Sequence, residues 1–256
     1  MMIQIQPSIK NIDSWTAFAL RQGLSFELSE ASVEPLLSDE ALRASVCSDL
    51  RRQGLTTSLH GAFIDINPAS GDPAIRQLSR KRCEESCITA QKFGASHIVF
   101  HSSCFPFLRG DYLSRWAEQC AEFYCELAQR FGLTICVENS MDVDTAPLLE
   151  LMRRADCEKV GLCLDIGHAN YSRLPMEGWF EDLGSHIRCL HLSDNNGCFD
   201  DHLPLGCGTV DWKLADRLWQ RIGAPDRLTL EVGDLAGVEK SLKYLKENRL
   251  FGMEEA

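Results

Sequence analysis

The sequence predicts an α/β fold, a single (β/α)8 TIM barrel over residues 1–256, and three observations carry that prediction. Short β-branched or apolar runs alternate with longer helical patterns, the signature of βαβ units and a parallel sheet. Eight such runs occur in a chain of 256 residues, the number and length expected of a closed barrel. No low-complexity linker or break in composition divides the chain into separate units.

In order, the predicted strands are Ile3–Gln6, Leu24–Leu28, Thr56–His60, His97–His101, Leu133–Glu138, Val160–Asp165, Ile187–Leu192 and Arg227–Val232. Helix boundaries fall between them. Asp72 followed by Pro73 reads as an N-cap and a first-turn proline, and Gly54, Gly94 and Gly132 stand where helices should stop. Leu113, Trp116, Ala117, Cys120, Tyr124 and Leu127 recur at helical spacing, giving one apolar face to pack on a barrel.

Composition narrows the class of function. With 37 Asp plus Glu against 26 Lys plus Arg the formal charge is −11, which argues against a general nucleic-acid or anionic-membrane binder. The first ten residues lack the charged and apolar regions of an export signal, and no apolar run is long enough to span a bilayer. Twelve cysteines without a CxxC pair fit a reduced compartment, so the expectation is a soluble cytoplasmic protein without a disulfide framework or a zinc–thiolate site.

In such a barrel the active site is built at the C-terminal ends of the strands. Strand 3 ends in His60, strand 4 in His101, strand 5 in Glu138, strand 6 in Asp165 with His168 three residues on, strand 7 in His191, and strand 8 in Glu231. Imidazoles and carboxylates converging on one point are costly to desolvate unless a cation sits among them, and the mixed donor set suits Zn²⁺, Mn²⁺ or Co²⁺. His97 and His186 begin strands 4 and 7, on the opposite face, and receive no functional assignment. Alternation places Ser58, Val99, Cys136, Cys163, Cys189 and Thr229 one layer below the ligands, as space-filling residues that include three thiols.

The segments Leu162 to Asn170 and His191 to Asn195, the latter continuing through Asp200 to Gly206, resemble the xylose isomerase-like (β/α)8 superfamily. That group joins sugar isomerases and epimerases with type IV apurinic endonucleases. The sugar-isomerase branch implies one essential divalent metal held by Glu138, Asp165, His191 and Glu231. The endonuclease branch implies up to three zinc ions. His60, His101 and Glu138 would hold the first, Glu138 would bridge to a second bound by Asp165, His191 and Glu231, and His168, Asp200 and His202 would hold a third. All nine positions carry matching residue types.

Charge placement separates the branches, because a DNA backbone needs several Lys, Arg or amide contacts on the active face. The loops after the strands carry only Lys10, Arg109 and Arg173, against Glu30, Glu34, Asp65, Asp142, Glu177, Asp194, Asp200, Asp201 and Asp234. A small polyol-like carbohydrate is therefore expected over nucleic acid, with no membrane partner and a homo-oligomer left open. Two departures stand out: no arginine follows His191 within Ser193 to Gly197, as ketose 3-epimerases usually have, and Cys207 occupies the place between Gly206 and Gly208 where many relatives carry a glutamate.

The expected reaction is isomerisation or epimerisation of a sugar, sugar phosphate or polyol by proton transfer through a metal-stabilised enediolate. Glu138 and Glu231 are the expected acid and base, His101 and His168 the expected substrate-binding residues, and Phe105, Phe107 and Trp15 candidate walls of the pocket. A zinc-dependent apurinic endonuclease and an inositol-type dehydratase are the alternatives.

Overall fold

The computed structural model describes residues 2–29, 34, 36 and 38–254. Eight parallel strands close into a barrel in sequence order: β1 (Met2–Ile5), β2 (Ser25–Leu28), β3 (Thr56–His60), β4 (His97–His101), β5 (Thr134–Glu138), β6 (Val160–Asp165), β7 (Ile187–Leu192) and β8 (Arg227–Leu230), with β1 pairing β8. The predicted runs match these strands to within two residues at each end.

The helices are α1 (Ile12–Gln22), α2 (Glu40–Gln53), α3 (Pro73–Phe93), α4 (Asp111–Phe131), α5 (Ala146–Arg154), α6 (Ile166–Tyr171), α7 (Met176–Leu183), α8 (Trp212–Arg221) and α9 (Leu235–Asn248). Their ends follow the local chemistry read from the sequence. Asp72 accepts from the backbone N–H groups of Ala74 and Ile75 at the start of α3, while Gly54, Gly94 and Gly132 terminate α2, α3 and α4 in the left-handed conformation. On α4, Trp116, Ala117, Cys120, Tyr124 and Leu127 are buried.

Outward strand residues such as Ile5, Phe26, Leu59, Ile98, Ile135, Leu162 and Leu190 join the helices in the main apolar core. Inside the barrel, Val99, Cys136, Cys163 and Cys189 form a separate buried layer, and Ser58 and Thr229 are buried beside it. All cysteines are free thiols. No helix among the described residues is long and apolar enough to cross a membrane.

Two register shifts set which side chains face inward. Along β6 and β7 the pairing runs Leu162↔Ile187, then Cys163↔Cys189 and Asp165↔His191, so β7 gains one residue at Arg188. A one-residue shift exchanges the faces of a strand, and here it brings Cys189 and His191 to the same side as Cys163 and Asp165. The same device operates between β2 and β3, where Phe26↔Thr56 is followed by Glu27↔Ser58.

Candidate metal centre

Strand pairing fixes the level of the polar residues at the C-terminal rim: His101 pairs with Glu138 across β4 and β5, and Asp165 with His191 across β6 and β7. Glu231 follows β8 directly, its N–H donating to the carbonyl of Leu192. As a result Glu138, Asp165, His191 and Glu231 bring one donor atom each to within 4.8 Å of one another, and all four are buried. His60, His101 and Glu138 form a second such set, with His60 Nε2 3.3 Å and His101 Nε2 3.8 Å from Glu138 Oε2. Glu138 belongs to both.

Asp165 has two jobs. One carboxylate oxygen caps α6, accepting from the His168 N–H at 2.6 Å, while Oδ2 has no hydrogen-bond partner. The turn into α6 packs so closely that a Cβ at Gly167 would stand 2.6 Å from Ser193 Oγ. Asn139, just past β5, ties the strands together by donating to the Asp165 carbonyl and accepting from its N–H. The Asn139 carbonyl lies 2.6 Å from His168 Nδ1, which turns His168 Nε2 toward Asp200 Oδ2 at 3.3 Å.

The fit to a divalent cation rests on polar atoms that the protein leaves unpaired. Both oxygens of Glu138, Oδ2 of Asp165 and both ring nitrogens of His191 are buried without a hydrogen-bond partner. Orphaned buried carboxylate oxygens are costly, and three carboxylates beside an imidazole are the donor set of a hard-to-borderline cation. Titration reflects the same excess of negative charge. Burial and the neighbouring carboxylates Glu231 and Glu138 push the Asp165 carboxyl up to about 7 against the pull of His168 and His191. Burial would raise Glu138 as well, but His191, His101 and His168 outweigh it and hold that carboxyl well below the usual range. Burial alone would lower His191, yet Cys163 and the carboxylates of Glu231, Glu27 and Glu138 hold it well above its ordinary value. His101, by contrast, is pushed down to about 4 by burial, which outweighs the opposing pull of Glu138.

His168, Asp200 and His202, the third predicted set, meet through a single atom: Asp200 Oδ2 lies 3.3 Å from His168 Nε2 and 3.0 Å from His202 Nε2. They are not among the sets of described residues whose donors all converge within 4.8 Å. Asp200 and His202 are also the most open of the nine, at 41% and 38% side-chain exposure.

A cavity of about 930 Å³ opens over the rim, lined by His101, His168, Asp200 and Phe63 on the side of the cluster and by Leu78, Phe105 and Met141 further out. Phe105 is a wall, as expected, but Trp15 is not: it lies on α1 and is buried in the core, where an indole on the apolar face of a helix belongs. Phe107 lies outside the cavity lining, beneath the Arg173 guanidinium at 4.7 Å.

The rim charge is also smaller than the sequence suggested. Asp194 is fully buried and structural, accepting from the N–H groups of Asn195, Gly206 and Val210 and from Trp212 Nε1. A Cβ at Gly208 would stand 2.2 Å from the Asn195 carbonyl oxygen, so the glycines around Cys207 let the backbone close on Asp194. Asp142 is buried too, accepting from Ser102 Oγ at 2.6 Å and from the Ser140 N–H, and burial raises it to about 6. Glu30 lies outside the described residues. Among the three basic residues, Arg109 is paired with Asp144 at 2.6 Å.

Two inward polar residues were not anticipated. Glu27 of β2 is buried 3.0 Å from His191 Nε2, and Gln6, just past β1, donates to both Glu27 and Glu231. Strand alternation carried the signal, since Phe26 and Leu28 face the core and Glu27 between them must face the barrel interior.

Comparison with known protein families gives a match over residues 24–248 to the family described as xylose isomerase-like TIM barrel. The chain belongs to that family. An uncharacterised protein of Methanocaldococcus jannaschii is 28% identical over 200 residues, spanning 74% of this chain and 68% of the relative. A probable endonuclease 4 of Thermoplasma acidophilum is 26% identical over 234 residues, 84% of this chain and 80% of that protein. Of solved structures, a Thermus thermophilus protein soaked with zinc chloride superposes with a TM-score of 0.80 at 26% identity, covering 96% of this chain and 97% of that one. A D-tagatose 3-epimerase-like protein gives the same TM-score of 0.80 at 24% identity with 96% coverage of both chains, a likeness of fold.

Proposed function

We propose that this xylose isomerase-like barrel is a divalent-metal-dependent isomerase or epimerase of a hydroxy-carbonyl carbohydrate. The observation that carries the reading is the buried four-donor cluster with orphaned oxygens, whose Glu138 lies 3.8 Å from His101 and 3.3 Å from His168, two residues that line a cavity of small-molecule size. Glu138, Asp165, His191 and Glu231 would hold one Zn²⁺, Mn²⁺ or Co²⁺, which when bound supplies Lewis acidity toward adjacent carbonyl and hydroxyl oxygens of the substrate.

The chain's own groups then divide the remaining work. Glu138 and Glu231 come from β5 and from the end of β8, each beside His191 Nδ1, at 3.3 and 3.1 Å. Burial and the Glu138 charge would raise Glu231, but His191 and His202 hold it down to about 2, so it enters as an anion able to take a carbon-bound proton. Glu138, beside the same nitrogen, would serve as the acid, taking up a proton from solvent and giving it to the carbon while Glu231 releases the one it removed, so that one proton leaves and one returns. His101 lines the cavity as a neutral imidazole and would hydrogen-bond a substrate hydroxyl, and His168, which lines the same cavity, would do so in place of its contact with Asp200. Phe105 and Met141 make the outer wall apolar and limit water around the reacting carbons.

The endonuclease reading keeps one specific support: all nine positions of the three-zinc set are filled by matching residue types. Against it stand the sparse basic residues of the rim and the pairing of Arg109 with Asp144. The deciding measurement combines metal analysis with two reactions. Protein loaded with Zn²⁺, Mn²⁺ or Co²⁺ should bind about one metal per chain tightly and exchange a carbon-bound proton of ketoses or aldoses for solvent deuterium. Efficient incision of abasic duplex DNA, with three zinc ions per chain and no exchange into sugars, would replace this reading with the nuclease.

A further inference from the structure

We propose that Glu27 is a positioning residue for the metal centre: it holds the His191 ring with its proton on Nε2, so that the Nδ1 lone pair faces Glu138, Asp165 and Glu231. This rests on the proposed metal centre and assigns a function to a residue outside the predicted ligand sets.

The geometry is set from across the barrel. β2 and β7 are not neighbours, since β1 and β8 lie between them, yet Glu27 Oε1 reaches 3.0 Å from His191 Nε2. On the other edge of the ring, Nδ1 lies 3.1 Å from Glu231 Oε1 and 3.3 Å from Glu138 Oε2. Both nitrogens thus face carboxylates, and a metal ligand can use only a nitrogen that has no proton. A cation held by Glu138, Asp165 and Glu231 would exclude a proton from Nδ1, and Glu27 is then the carboxylate within reach of the proton left on Nε2.

Glu27 is itself held in place. Ser58 Oγ donates to its Oε2 at 2.9 Å and Gln6 Nε2 to its Oε1 at 3.1 Å, and Ser58 in turn accepts from Gln4 Nε2 at 2.6 Å. The register shift between β2 and β3 makes Glu27 the inward partner of Ser58. Gln6 also donates to Glu231, so one side chain links the positioning carboxylate to a predicted ligand. A carboxylate buried at 1% exposure is unfavourable unless its charge is used, and fixing His191 is a use that accounts for its position.

Replacing Glu27 separates this role from a structural one, because the two have opposite signs. Glu27→Leu removes the acceptor and a buried charge, whereas Glu27→Gln keeps an acceptor oxygen at the same place. Competition of Co²⁺ and Zn²⁺ against a chelator should show binding about 10- to 100-fold weaker in Glu27→Leu, largely restored in Glu27→Gln. The metal-free melting temperature of Glu27→Leu should equal or exceed that of the wild type. Equal affinity in Glu27→Leu and wild type would overturn the proposal while leaving the metal centre intact. A loss of affinity matched by loss of the folded barrel in both variants would make Glu27 structural and overturn it as well. Failure of the wild type to bind either metal would overturn the metal centre and this role together.

Discussion

Around Glu138, Asp165, His191 and Glu231, three carboxylates meet one imidazole inside the barrel mouth; around His168, Asp200 and His202, one carboxylate sits between two imidazoles at its open edge. The inner group leaves buried oxygens unpaired and carries surplus negative charge. The outer group balances itself: Asp200 is held far below the usual carboxylate range by His168 and His202, against the opposing effect of burial, and its hydrogen bond raises His202 to about 9 despite burial. Residue types that read alike as ligands in sequence therefore differ in what they require. The inner set leaves carboxylate oxygens that a cation would satisfy, while the charge of the outer set is balanced among its own members.

The strongest way to break this contrast is at Glu138, the one residue shared by the four-donor set and the set with His60 and His101. Glu138→Gln should abolish stoichiometric metal binding, and Glu231→Gln should lower turnover by about 10²- to 10⁴-fold with the barrel still folded. Elemental analysis, circular dichroism and rate measurement on the same preparations check this, and a Glu138→Gln protein that keeps full metal and activity would refute the inner assignment.

A smaller effect is expected outside. His202→Ala and Asp200→Asn should leave one tightly bound metal in place and change turnover by less than about tenfold, in line with the loss of one partly exposed charge contact. If either variant instead empties the inner set or removes all activity, the two groups act as one cluster and the three-metal reading gains ground.

The smallest effect concerns pH. In metal-free protein, the raised His202 contributes stability that is fully present below its ordinary value of 6.5 and fades as pH rises through about 9. The depressed Asp200 contributes stability present above its ordinary value of 3.8 and lost as pH falls below it. Their joint contribution is therefore greatest between about pH 4 and 6.5. Thermal melts of wild type and Asp200→Asn across pH 4 to 10 should converge at the alkaline end, and a constant offset at every pH would show that the pair is not the source.

Much of this protein was readable from local pattern. The β/α alternation, the Asp72–Pro73 start of α3, the glycine stops at 54, 94 and 132, and the rim positions of His60, His101, Glu138, Asp165, His191 and Glu231 all depend on residues near one another in the chain. Period-two alternation and capping act over a few residues, so the sequence alone determines them.

Convergence, burial and register belong to the closed barrel. The shift at β6–β7 decides that His191 faces inward, and closure of β1 on β8 brings Glu27 within 3.0 Å of a histidine 164 positions away in sequence (191 − 27). Asp142 and Asp194 looked like rim residues, and Trp15 like a pocket wall, because sequence shows residue type but not enclosure. The chain by itself determined which chemistry stands at the strand ends. Only the folded barrel decided which of those groups are left without partners, because an unpaired buried oxygen is a property of everything packed around it.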